Sequence, residues 1–115
     1  MHHGAVLSRT AAFEAAVLAA GQRSGDWAHA LLYAPPLLLP EFESKVADMK
    51  NSVKSRTNAQ ASCAGHFVEE HLRPGWDGAW AHVDIAGPSF REGRATGYGV
   101  ALVLELAKAI AEGKA

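Results

Sequence analysis

Trp80-Ala-His-Val-Asp-Ile-Ala-Gly-Pro88 sets a short, mostly apolar run directly against a glycine–proline stop. Proline cannot donate to a β-ladder, so a strand ends there. A few residues on, Arg94-Ala-Thr-Gly-Tyr-Gly99 opens an apolar helix. A strand closed this sharply, followed by a glycine turn into a helix, points to an α/β layer structure. Ligands of such folds gather at the carboxyl ends of strands. The search for a site therefore starts between Ala86 and Gly99.

The rest of the chain divides at its turn signals. Gly4–Ser8 reads as a strand, and Thr10 as the N-cap of a first helix with Phe13, Ala16, Val17 and Ala20 on one face. Gly21 and Ser24-Gly-Asp26 stop that helix. Pro35, Pro36 and Pro40 exclude a continuous helix or central strand from Trp27 to Leu39, which reads as an extended loop over part of the core. Pro40 suits the first position of a second helix, with Phe42 and Val46 inward. Thr57 or Asn58 caps a third, with Ala61, Ala64, Phe67, Val68 and Leu72 inward. The strand spans about Ala79 to Ala86. The last helix starts near Gly97 or Gly99, buries Val103, Leu106, Ala107 and Ile110, and stops at Gly113. The expected fold is a partial three-layer α/β structure, a few-stranded sheet flanked by about four helices.

With 115 residues the chain forms one domain. Its net charge of −1 gives no support to nucleic-acid binding. No apolar run reaches the roughly 18 residues of a membrane span. The single cysteine, Cys63, excludes an internal disulfide and fits a reducing compartment. The N-terminus carries no basic region followed by an apolar core, so no secretory signal is expected.

Two motifs invite chemistry and fall short of it. His66-Phe-Val-Glu-Glu-His71 resembles a zinc helix, but zinc-binding helices space their histidines four apart. Five residues turn the second about 140° further around the helix. A solvated pair between His66 and Glu70 is the expected alternative. Gly97-Tyr-Gly99 resembles a dinucleotide turn, but Leu102 stands where the third glycine belongs and no strand follows. Cys63 reads as a small buried apolar residue. Ser62 and Ser89 lack the surroundings of a nucleophile elbow. Asp84, on the opposite face from Val83 and Ile85, reads as a structural acceptor before a catalytic acid. Lys50 and Lys54 read as solvated charges before an anion site.

Five segments carry a family resemblance: Ser24-Gly-Asp-Trp27, Val46-Ala-Asp-Met-Lys-Asn51, the alanine-rich stretch Ala59 to Phe67, Trp80 to Gly87, and Arg94 to Val100. In order and spacing they resemble the leucyl aminopeptidase family, and the wording Ala47-Asp-Met-Lys-Asn-Ser52 resembles its probable aminopeptidase-like branch. The resemblance runs from about His3 to Ile110. It implies a cytoplasmic, hexameric metalloexopeptidase that removes N-terminal residues from peptides. Two divalent metals, zinc or manganese, polarise the peptide carbonyl and activate a water in that family.

The family's metal ligands and catalytic arginine lie in an Asn-Thr-Asp-Ala-Glu-Gly-Arg segment and in a lysine- and aspartate-bearing segment before it. Neither occurs in this sequence. The resemblance therefore implies the C-terminal third of a catalytic domain, residues 1–115 forming one incomplete α/β unit. No catalytic residue and no bound metal is expected on this chain alone. Ser52, Ala86 and Ser89 match the family's substrate-pocket positions. Two of them are serines where leucine-preferring members carry larger apolar side chains. The alternative reading is a non-catalytic α/β binding or assembly module, with Trp27 to Leu39 as a candidate docking face.

Overall fold

β1 (Gly4–Ser8) is buried along its whole length, because both of its edges and both of its faces are covered. In the computed structural model, which describes residues 3–115, it is the central strand of a three-stranded sheet in the order β2-β1-β3. β2 (Ala28–Ala30) runs parallel to it, with Ala5 opposite His29. β3 (Ala81–Asp84) runs antiparallel, with Val6 opposite Val83 and Leu7 opposite His82.

Strand alternation sends Val6 and Leu7 to opposite faces and so makes three layers. On the Val6 face, Val17 of α1 (Ala11–Ser24) and Leu102 of α4 (Val100–Ala111) close one core, joined by Phe13, Leu18, Ala81, Val83 and Leu106. On the Leu7 face lies α3 (Gln60–Glu69), which approaches so closely that a methyl group on Gly65 would overlap Leu7 Cδ2. A second core, Leu38, Phe42 and Cys63 with Phe67 against it, sits beyond α3. A two-stranded ribbon, β4 (Phe90–Arg91) and β5 (Arg94–Ala95), bridges the gap between β3 and α4.

The α/β layering follows the sequence expectation; several local features depart from it. The segment from Trp27 to Leu39 is not one extended loop. It supplies β2, and Pro35 then occupies the first turn of a short helix, α2 (Pro35–Leu38). Pro40 does not open a long helix. It sits in a single 3₁₀ turn (Leu39–Phe42), beyond which Val46 is 96% exposed. α3 starts at Gln60 after Ala59. The Asn58 side-chain oxygen accepts only the adjacent Ala59 N–H, a contact too local to cap a helix. Its buried side is Ser62, Cys63, Gly65, His66 and Glu69, with Ala64 and Val68 turned outward. α4 buries Leu102 and Ala109, while Val103 and Ile110 are 61% and 51% exposed. β3 is half the expected length, since the Asp84 carboxylate accepts the Ala86 N–H at 2.9 Å and turns the chain out of the ladder.

Candidate substrate-pocket wall

A cleft of about 820 Å³ lies between α3, the 3₁₀ turn and the 51–56 loop. Phe42, Val53, Cys63 and Phe67 make its apolar lining, and Ser52, Arg56, Gln60 and His82 bring polar groups to it. Ser52 thus stands in a concave surface. Ala86 and Ser89 do not line that cleft. Both lie past the end of β3, where the Ser89 N–H donates to the Ile85 carbonyl at 3.1 Å and its carbonyl accepts the Thr96 N–H at 2.9 Å. The three positions that the resemblance assigns to a pocket therefore fall on two loops, one at the cleft and one at the carboxyl end of β3.

Glu41 shapes the first of these loops. Its carboxylate accepts the backbone N–H groups of Lys54 and Ser55 and the side-chain amide of Asn58. These donors stabilise the charged form, and the amide of Asn58 contributes most to holding the carboxyl below its ordinary range. Lys54 also pairs with Glu43, so it is not a free anion receptor.

The β3 end is shaped from the opposite direction. Asp26 Oδ2 accepts the N–H groups of Gly99 and Leu102, both at 3.1 Å, and so caps α4. Gly99 has φ +98°, a conformation that favours glycine. The resemblance to a dinucleotide turn ends here, because the chain's own carboxylate occupies the helix N-terminus that a phosphate would need. Tyr98 completes the joint: its hydroxyl donates to the Trp27 carbonyl at 2.7 Å and accepts the Gly4 N–H at 3.0 Å.

His66 is not a solvated partner of Glu70; it is 1% exposed and stacks on Tyr33 at 4.9 Å. Its Nε2 accepts the Ala34 N–H at 3.2 Å, which fixes the proton on Nδ1, donated to the Ser62 carbonyl at 2.7 Å. Neither ring nitrogen retains a lone pair for a metal. Glu69 is equally committed: it meets Arg9 at 2.9 Å and accepts the Tyr33 hydroxyl at 3.1 Å. Arg9 in turn donates to the Trp76 carbonyl and stacks over the Trp76 ring. Burial first, then the hydrogen bond to Glu69, raises the Tyr33 hydroxyl above its usual pKa. Burial also pushes the Cys63 thiol up, which keeps it protonated and unsuited to nucleophilic attack.

The sequence reading passed over Asp26, Tyr98, Glu41 and the Arg9–Glu69 pair. Asp26 and Tyr98 both sit inside the segments that carried the resemblance, and that co-occurrence was the available signal.

Residues 1–104 match the catalytic domain of the cytosol aminopeptidase family. The chain belongs to that family. Probable aminopeptidase NPEPL1 of Homo sapiens is 51% identical over 105 residues, covering 91% of this chain and 20% of its own length. Leucine aminopeptidase 1 of Caenorhabditis elegans is 39% identical over 101 residues, covering 87% of this chain and 21% of its own length. Among solved structures, the leucyl aminopeptidase of Trypanosoma brucei superposes with a TM-score of 0.88 at 44% identity, over 93% of this chain and 21% of that one. The chain thus spans about a fifth of the length of these aminopeptidases. Among the described residues, no helix is long and apolar enough to cross a membrane.

A two-metal centre does not fit the residues described here. Among them, no three His, Cys, Asp or Glu side chains converge on one point. The buried candidates are already engaged: His66 by Ala34 and Ser62, Glu69 by Arg9 and Tyr33.

Proposed function

We propose that these 115 residues form one wall of the substrate-side-chain pocket of a metal-dependent aminopeptidase, and hold none of its metal ligands. The family match supports the aminopeptidase class. The observation that carries the pocket-wall assignment is the placement of Ser52 on the cleft and of Ser89 on the loop that closes β3. The peptide substrate would be bound only with the remainder of the domain, in the hexameric, cytoplasmic assembly that the resemblance implies. Small hydroxyl side chains at Ser52 and Ser89 leave room at the pocket and disfavour a strict preference for leucine. The zinc or manganese pair would be held by residues outside this sequence.

The test is hydrolysis of a leucine anilide by the purified chain with zinc or manganese added. No turnover above a heat-killed control is expected; metal-dependent turnover overturns the assignment.

A second reading, a binding or assembly module without catalysis, is favoured by Trp27, Leu32 and Leu37, all exposed on the segment between α1 and the 3₁₀ turn. It requires the chain to be monodisperse and cooperatively folded by itself. Aggregation of the isolated chain in analytical ultracentrifugation excludes it.

A further inference from the structure

His3 and His29 face each other at the open end of the sheet, and nothing in the aminopeptidase reading uses them. Their juxtaposition follows from the strand pattern. His3 immediately precedes β1, and His29 is the middle residue of β2, opposite Ala5. Residues 3 and 5 share a face by strand alternation, so His3 and His29 are diagonal neighbours on that face. The Nδ1 atoms lie 3.1 Å apart, and the rings meet edge to face with centroids 4.9 Å apart. His3 Nδ1 also lies 3.4 Å from the Gly4 carbonyl oxygen.

The strands beneath the pair are pinned on both sides. The Gly4 N–H is bonded to the Trp27 carbonyl and to the Tyr98 hydroxyl, and the Leu31 N–H to the Val6 carbonyl. These backbone bonds fix the spacing of the two Cα atoms from which the rings extend.

We propose that His3 and His29 form a two-imidazole site for a divalent first-row transition ion of the zinc kind. A zinc–nitrogen bond of about 2.0–2.1 Å separates two ligand nitrogens by roughly 2.9 Å at a right angle and roughly 3.4 Å at the tetrahedral angle. The observed 3.1 Å falls between these limits. Without an ion, one Nδ1 must carry a proton and donate it to the other. With an ion, the donor ring takes the tautomer that carries its proton on Nε2, and both Nδ1 lone pairs turn to the metal. Imidazole nitrogens favour zinc, nickel or copper over magnesium or calcium. Both residues are exposed, so the remaining coordination positions are open to water or to an outside donor. The site lies apart from the 820 Å³ cleft, whose lining includes neither histidine.

The experiment is a zinc titration of the complete 115-residue chain at pH 7.5 against a competing fluorescent chelator. The wild-type chain and the His3→Ala, His29→Ala and His71→Ala variants are compared, with imidazole nitrogen NMR in parallel. One zinc per chain is expected, weakened at least about tenfold by H3A and by H29A and left unchanged by H71A, with the Nδ1 resonances of both His3 and His29 shifted by the metal. His29→Ala is the deciding variant, because an ion held only by the N-terminal residues would not sense it. Absence of zinc binding in the wild-type chain, unchanged affinity in H29A, or a shift confined to one of the two rings overturns the proposal. Thermal unfolding of the metal-free variants keeps a folding defect from being read as lost affinity. The readout is binding, so its failure leaves the aminopeptidase assignment untouched.

Discussion

Asp26 caps α4 through Leu102. The carboxylate, from the turn that follows α1, accepts the Leu102 N–H and the Gly99 N–H at 3.1 Å each. A helix whose own N-cap is glycine thus takes its cap from a residue far away in sequence. This relationship ties the start of α4 to the turn that ends α1, on one side of the sheet.

Replacing Asp26 removes two charge-assisted bonds and leaves two helix-terminal donors without a partner. Asp26→Ala is expected to destabilise the fold by about 1–2 kcal/mol, and Asp26→Asn by less because one oxygen acceptor remains. Urea midpoints at unchanged slope are the measurement. Equal stability of wild type and D26A would show that water replaces the cap without loss.

Gly65 tests how tightly α3 lies on β1. In an exposed helix, glycine to alanine stabilises by about 1 kcal/mol. Here the added methyl meets Leu7, itself fully buried, and also crowds the His82 ring. Gly65→Ala is therefore expected to destabilise by about 1–3 kcal/mol, the usual range for an overpacked core. A rise in thermal midpoint would mean that α3 stands further from the sheet than described.

His66 should behave as a core residue with two fixed hydrogen bonds. His66→Ala leaves the Ala34 N–H unpaired, removes the side-chain bond to the Ser62 carbonyl and opens a cavity under Tyr33. A loss of about 2–4 kcal/mol is expected in chemical denaturation. An effect typical of a surface site, within about 0.5 kcal/mol, would return His66 to the solvated role that its neighbour Glu70 suggests.

His82 and Glu41 each contribute to the pH dependence of stability. Burial depresses the pKa of His82 below its ordinary 6.5, with the Asp84 charge opposing. The folded state favours neutral imidazole, so this contribution is present above about pH 6.5 and is lost as pH falls through that value toward the depressed one. Glu41, held below its ordinary 4.5 mainly by Asn58, contributes above that value and loses its contribution as pH falls through the lowered one. Urea midpoints from pH 8 to pH 3 should fall in two stages, H82Q flattening the upper one and E41Q the lower. Parallel curves for wild type and both variants would contradict these assignments.

The layered fold was legible because β1, α1, α3, β3 and α4 each carry a period or a stop signal. What escaped did so for physical reasons. β2 is Ala28-His-Ala30, three residues without alternation and followed by prolines, and only its pairing with β1 makes it a strand. α4 is apolar nearly all round, so periodicity alone does not choose its buried face. The cap from Asp26 to Leu102 fixes the rotation and leaves Val103 and Ile110 outside. α3 buries Ser62 and Gly65 because close approach to Leu7 demands small residues, a requirement that a search for large apolar side chains inverts. Nothing local in the sequence marks Ser52, an exposed serine, as part of the cleft lining.

The central claim is that this chain shapes the substrate side-chain pocket while the metal chemistry resides elsewhere. The most direct measurement exchanges it for the matching fifth of the Trypanosoma brucei leucyl aminopeptidase and compares kcat/KM for leucine and alanine anilides, with and without Ser52→Leu and Ser89→Leu. The account predicts a metal-dependent chimera whose leucine-to-alanine ratio differs from the parent enzyme's and changes again with either serine substitution. A ratio equal to the parent's and indifferent to both substitutions would contradict it.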